Sequence, residues 1–490
     1  MAGFQEQVAA DWSRGIVRDA PRTAIPAGGL YDCTNGLVDQ PGMLYKRGGT
    51  AYAGPAMTAA TYCRAVSYAN FTSGTKLVGV GDNGHLYTVT SGSTSDVSTL
   101  GSTFGAMVDR PKLRFGNKLI LPNDGTAAAK YYDGSAVTAF PASAPYFKFF
   151  DVYKTYLAVA GVTTSPSAQP QRVYFSPTPD FTTAWDTTYS YWDFDNEVTG
   201  LCALQNALLV FTADFTYRLV GSTAPPGSDF SQAPVGQTGC TDARSIAVFG
   251  GNAIFANPMG VYVTNGVAPT SLTDGAISTY WQSLFSGYSA SSWTISGGMC
   301  GSLYVVSILN GSSFVDCLVC DVSRRVWTRL TNVKSMMFAT ATGGTPELYY
   351  ADRATNRVTT IGSSLVPSST VKNDADGTAV VLTAELRPFG NGTVLKRFGH
   401  ARVTYDMRDA SSDNPTLAVS YAEDVTAPSF TAVAESPLAE TSDVTRKRVS
   451  VNTEAQQITI KVAQSNASSL TRLYAVEIEE RALPFTGEGA

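Results

Sequence analysis

The sequence predicts an all-β chain: a β-propeller of six or seven blades, an appended antiparallel β domain and an extended amino-terminal arm. Three observations carry this expectation. A strand–turn–strand theme recurs between residues 62 and 362, the strands lengthen after Gly377, and the first fifty residues are dense in Arg, Pro and Gly. Such a stretch suits neither a long helix nor a central strand, because Pro removes a backbone donor and Gly costs backbone entropy.

The arm is expected over residues 1–55. It runs through Arg14-Gly15-Ile16-Val17-Arg18-Asp19-Ala20-Pro21-Arg22, then Asn35-Gly36, Pro41-Gly42 and Leu44-Tyr45-Lys46-Arg47-Gly48-Gly49-Thr50. Its cations Arg14, Arg18, Arg22, Lys46 and Arg47 are matched by Glu6, Asp11, Asp19, Asp32 and Asp39. A neutral arm is better suited to protein docking than to phosphate, since arginine pairs carboxylates in bidentate fashion at interfaces. These five cations are therefore the expected partner-docking residues. With few large apolar residues, the arm is expected to be removable without unfolding the propeller.

The propeller is expected over residues 56–365. Lys76–Gly81 and His85–Val89 flank the turn Asp82-Asn83-Gly84, and Asn117–Pro122 with Lys130–Asp133 repeat the theme. Further copies pair 156–160 with 172–175, 208–211 with 215–219, 252–255 with 260–263, 302–306 with 314–319, and 347–350 with 357–360. Spacings of roughly 35–50 residues are those of propeller blades. The first member of each pair reads as a buried inner strand, its partner as an alternating outer one, and the Ser/Thr-rich stretches as connections. Residues 366–490 form the second domain, sandwich-like, with alternating strands at 379–386, 401–406, 416–421, 457–462 and 473–479.

Charged residues make up only 15% of the 490 residues, against roughly 25% in ordinary soluble domains, so the surface is dressed with neutral polar groups. The net charge of −5 and the lack of a basic stripe argue against a protein that wraps nucleic acid. No secretion signal is read at the amino terminus, and no apolar run reaches the roughly 18 residues of a membrane span. Seven cysteines then read as reduced, buried thiols.

Candidate chemistry is sparse. Cys317-Leu318-Val319-Cys320 has metal-site spacing, but on a strand residues three apart point to opposite faces. Asp193, Asp195 and Glu197 cluster as a hard-cation loop would, and Asn373–Thr378 resembles the front of a calcium loop without its closing glutamate. Two histidines, His85 and His400, leave little for a nucleophilic triad. No catalytic, cofactor-binding or metal-binding residue is assigned, and the chain is read as not an enzyme.

The arm ahead of a β array resembles the tail nozzle, or tail hub, proteins of short-tailed bacteriophages (tail tubular protein B-like). The asparagine, the Pro-Gly and the Lys-Arg-Gly-Gly of the arm carry that resemblance. It implies a virion structural protein of the bacteriophage tail, assembled in the bacterial host cytoplasm as a homohexameric ring beneath the portal and adaptor proteins. The propeller would be the platform where tail fibres or spikes dock for host attachment. The second domain, entered near Leu395-Lys396-Arg397-Phe398, would line the channel for DNA ejection, and genomic DNA would pass without sequence-specific binding. Two alternatives stay open: a propeller outside the cell that binds or cleaves glycan on Trp185, Tyr191 and Trp192, and an intracellular propeller scaffold.

Overall fold

The computed structural model describes residues 4–39, 42–114, 117–177, 180–188, 190–222, 229–341, 346–365, 371–390, 393–408, 415–439, 443–464 and 470–483. Among these the chain is almost wholly β, with one α-helix, Ser278–Leu284, and four short 3-10 turns. All seven hairpins expected from the repeat form with antiparallel register. Each is the middle pair of a four-stranded meander. The first unit comprises Cys63–Phe71, Gly74–Gly81, His85–Val89 and Thr94–Thr99. The others follow at 112–139, 149–193, 200–236, 247–271, 293–330 and 335–360.

The hairpin strands are therefore the second and third of each unit, not inner and outer members. A second strand such as Tyr156–Val162 is covered on both faces and buried throughout, so its apolar run is continuous. The Ser/Thr-rich stretches expected as connections include fourth strands: Thr94–Thr99 and Ser231–Gly236 have no buried residue and pair on one side only. Neighbouring units share apolar clusters. Ile120 and Leu157 join the second and third units, Phe211 and Phe255 the fourth and fifth, and Val305 and Phe338 the sixth and seventh. The first unit also packs on the seventh, Val66 and Val78 lying in one cluster with Met337 and Val358.

The expected detached arm is not what the first 55 residues form. Ala51–Tyr52 is the fourth strand of the seventh unit, paired with Val358–Thr360. Gly15–Ile16 and Gly29–Thr34 extend the sixth unit's sheet by parallel pairing, and Thr383–Leu386, Gln457–Gln464, Leu417–Ala422 and Thr431–Ala432 continue it. A second sheet orders Thr445–Ala455, Lys396–Arg408, Leu470–Ala482, Leu44–Lys46 and Gly36–Val38, with Gln5–Ala9 also paired to Leu470–Ala482. The two sheets share a core in which Ala401, Val403, Val476 and Ile478 join Leu386, Val419, Ile458 and Ile460. The carboxy-terminal β unit is thus built from both chain ends and is continuous with the sixth unit. The boundary expected at 365/366 adjoins residues 366–370, which lie outside the described residues.

This topology reverses the expectation that residues 1–50 are dispensable for folding. Deleting them strips strands from two sheets and removes the anchor of the Ala51–Tyr52 strand. The truncated chain should lose its cooperative thermal transition by circular dichroism. A transition as sharp and as hot as that of the full chain would contradict the topology.

Candidate functional site

The five cations expected to dock a partner separate into three environments. Arg47 is fully buried and its five N–H donors are all used. Its Nη1 and Nη2 each donate to one oxygen of Asp374 at 2.9 Å, Nε donates to Asn35 Oδ1 at 3.0 Å, and the remaining donors reach the Gly48 and Thr331 carbonyls at 2.7 and 3.0 Å. Asp374 also accepts from the Thr50 amide at 3.0 Å. Asn35 sits at φ 56°, a left-handed conformation asparagine tolerates, and its Nδ2 donates to Thr331 Oγ1 and the Val381 carbonyl. At Gly49 a Cβ would lie 1.8 Å from the Asn373 oxygen, so only glycine fits. Lys46 is buried too, its Nζ donating to the Val380 carbonyl at 3.3 Å. Lys46 and Arg47 are accordingly internal ties and not docking side chains: a guanidinium enclosed this way has no donor left for a partner.

Arg18 and Arg22 come together on a half-buried ledge. Arg18 pairs with Asp32 at 2.9 Å and lies 4.0 Å over the Tyr280 ring, while Arg22 lies 3.3 Å over Tyr31 and pairs with Glu385. Asp32 also takes Arg329, which reaches Asp316, and Asp316 accepts the Tyr280 hydroxyl. Burial raises the Asp316 carboxyl above its ordinary range despite Arg329. Asp19 accepts from the Ser278 and Thr279 amides at 2.9 and 2.8 Å, fixing the start of the helix against this segment. A groove of about 400 Å³ runs along Arg18, Arg22, Tyr31 and Thr426. Arg14 is exposed on the turn before Gly15–Ile16.

Sequence reasoning missed a cavity of about 440 Å³ where the first strands of several units converge. Its charged groups reach from unit to unit. Asp109 accepts from the Phe150 amide at 3.2 Å, Lys112 donates to the Phe150 carbonyl at 2.7 Å, and Asp151 accepts from the Ala203 amide at 3.0 Å. Arg110 donates to the Ile246 carbonyl at the start of the fifth unit, and Asp242, which also accepts from Arg244, takes the Ile295 amide of the sixth at 3.0 Å. Burial raises the Asp109 carboxyl, and burial with the nearby Arg244 lowers Arg64 to about 10. The available sequence signal was a carboxylate inside an apolar run, Phe149-Phe150-Asp151-Val152-Tyr153.

The cations of the second domain lie on a face of mixed sign. Arg402 pairs with Glu6 and with Glu479 at 2.5 Å, Arg446 with Glu477, and Arg448 with Glu479 at 3.4 Å. Burial alone would raise the Glu479 carboxyl, but Arg402 and Arg448 hold it below its ordinary range. Lys396, which opens the strand Lys396–Arg408, is buried against Glu480 at 2.6 Å.

The remaining candidates sort by burial. Cys317 and Cys320 enter different apolar clusters on opposite faces of their strand, as the spacing predicts. Asp193 is held by Arg172 at 2.5 Å, with Asp195 and Glu197 exposed beside it, and Asp374 of the calcium-like loop is committed to Arg47. His85 pairs with Asp96 and His400 with Glu479. Trp185 is only 6% exposed among Phe140 and Phe181, while Trp192 donates to Gln232 at 2.5 Å. The three aromatics of the glycan alternative therefore do not form one open platform.

No family model matches the chain, and no curated protein matches it. Among solved structures it is similar to the extracellular domain of the proposed one-component system BT4673 from B. thetaiotaomicron, at 9% identity and TM-score 0.44, covering 87% of this chain and 63% of that one. It is similar also to BBS1N in complex with ARL6DN, at 11% identity and TM-score 0.40, covering 64% of this chain and 97% of that one. Likeness to an exo-β-1,3-galactanase from Phanerochaete chrysosporium stands at 11% identity and TM-score 0.28, covering 88% and 100%. Overlaps this loose assign neither fold nor activity to this chain.

Two measurements check this geometry. Arg47→Ala leaves the Asp374 carboxylate buried without its partner and should cost about 3–5 kcal/mol in urea unfolding; a loss under about 1 kcal/mol would show that the pair is idle. On the outer face Arg402, Arg446 and Arg448 are each paired with a carboxylate, so a gel shift at physiological salt should show no complex. A tight, salt-sensitive shift would contradict that balance.

Proposed function

We propose that the seven units close as a seven-bladed β-propeller and that the chain is a tail nozzle subunit of a short-tailed bacteriophage, a structural protein without catalytic activity. The closing strand Ala51–Tyr52 on the seventh unit, and the packing of that unit on the first, support the propeller. One observation carries the functional reading. Asn35, Arg47, Gly48 and Gly49, which bear much of the resemblance, are held in or beside a buried node linking the amino-terminal segment, Thr331 and Asp374, and Lys46 is buried next to it. The likeness thus concerns how the whole body is joined, not a loose terminal arm. Pro41, the other part of that motif, lies outside the described residues.

In this reading the subunit sits in a ring, hexameric by resemblance, below portal and adaptor proteins. Its propeller offers a neutral polar platform to fibres or spikes, and the sheets built from both chain ends face the tube. A wall whose cations are paired does not hold the polyanion that passes it.

The test is microscopy of virions with an antibody raised against this chain, together with light scattering of the purified protein alone and with its adaptor. Label at the tail and a discrete ring are expected. A chain absent from particles and monomeric with or without an adaptor would overturn the proposal.

A further inference from the structure

The sheet containing Thr445–Ala455, Lys396–Arg408, Leu470–Ala482 and Gln5–Ala9 branches at Leu470–Ala482, one branch ending in Gln5–Ala9 and the other in Gly36–Val38, and among the described residues no strand pairs with the outer side of Thr445–Ala455 or of Gln5–Ala9. Beside residues 445–449 its outward face is segregated by charge, whereas at the far end Glu454 and Arg481 reverse the signs. Glu6, Glu477 and Glu479 lie on the Gln5–Ala9 side, whereas Arg402, Arg446 and Arg448 lie on the Thr445–Ala455 side, with Lys447 exposed at the edge itself. Phe4 and Val8 are 48% and 49% exposed at the acidic edge, and Val444 is 52% exposed at the basic one. The far half of the basic edge is blunted, because Glu435 takes the Ser450 amide at 2.7 Å. Residues 445–449 are left, a length that matches Gln5–Ala9.

We infer that these edges pair head to tail between copies of this chain, Gln5–Ala9 of one copy lying along residues 445–449 of the next. Direction permits it. Each of the three steps across the sheet is antiparallel, so the two edge strands run antiparallel to one another. A copy rotated about an axis along the strands therefore presents its Gln5–Ala9 in the sense the basic edge needs. Charge selects this arrangement over a two-fold one. Two basic edges would set Arg446, Lys447 and Arg448 against themselves, and two acidic edges would oppose Glu6 to Glu6, whereas the mixed pairing brings opposite signs together. Contacts between unlike surfaces generate a ring when the rotation closes and a filament when it does not. The inference rests on the proposed ring and names the surface that builds it.

Directional crosslinking tests it on the full chain. All seven native cysteines are buried as free thiols, so background from a short bis-maleimide should be low. Val8→Cys and Arg446→Cys stand at exposed edge positions on one face of the sheet, Val8 opposite Glu477 and Arg446 opposite Thr404, and antiparallel pairing of residues 5–9 with 445–449 sets them across from each other. A mixture of the two single variants should yield a crosslinked dimer that neither yields alone, and the double variant should yield a ladder ending at one closed size. A ladder without a closed size keeps the edge pairing and removes the ring. A discrete ring by light scattering without the crosslink removes the edge pairing and keeps the ring. Dimers formed as readily by either single variant overturn head-to-tail pairing, and a monomer without crosslinks overturns both readings.

Discussion

The ion pair between Arg47 and Asp374 is the constraint on which the joined architecture depends. It spans 327 residues of sequence, and every donor of the guanidinium is spoken for. A buried ion pair is a weak source of net stability, because desolvating both charges offsets most of their attraction. What it supplies here is geometry. Asn35, Thr331 and the Gly48–Thr50 backbone have to be in place for both charges to be satisfied, so the node admits one relative placement of amino-terminal segment, repeat units and carboxy-terminal sheets.

The same economy runs through the rest of the molecule. Few residues are charged, and several of those join elements distant in sequence: Arg22 on Glu385, Lys112 on Asp151, Lys396 on Glu480. Apolar clusters hold adjacent units together, and the polar ties set which units are adjacent. A chain arranged this way keeps its unpaired surface mostly neutral, while its mixed-sign groups gather on the outer sheet face.

The hairpins were legible because each pairs a continuous apolar run with an alternating one across a turn, as in Lys76–Val89. The outermost strands were not. A fourth strand such as Thr94–Thr99 pairs on one side and has no buried residue, so its composition is that of a loop. The strand Thr445–Ala455 was hidden in the same way, opening on Thr445-Arg446-Lys447-Arg448 before Val449 and Val451 turn inward. The amino-terminal residues misled for a different reason. Gly15, Gly36 and Gly49 signal turns in a one-dimensional reading, but here they mark close passages of backbone beside other elements, a pressure that only the folded neighbours reveal. Arg18 and Arg22 share one half-buried ledge, whereas Lys46 and Arg47, assigned to the same docking surface, are enclosed.

The pairing of the first fifty residues with the last third of the chain also sets an order of events during synthesis. At about 5–20 residues per second, the 327 residues between Arg47 and Asp374 take roughly 16–65 s to emerge. Throughout that interval Gly29–Thr34 and Leu44–Lys46 exist without Thr383–Leu386 and Leu470–Ala482, their later neighbours. The nascent chain therefore carries unclosed strand edges at its leading end while the intervening meanders, whose contacts are local, complete themselves one after another. Locking waits until those late strands have emerged, and a holding chaperone has its longest opportunity at Gly29–Thr34 and Leu44–Lys46.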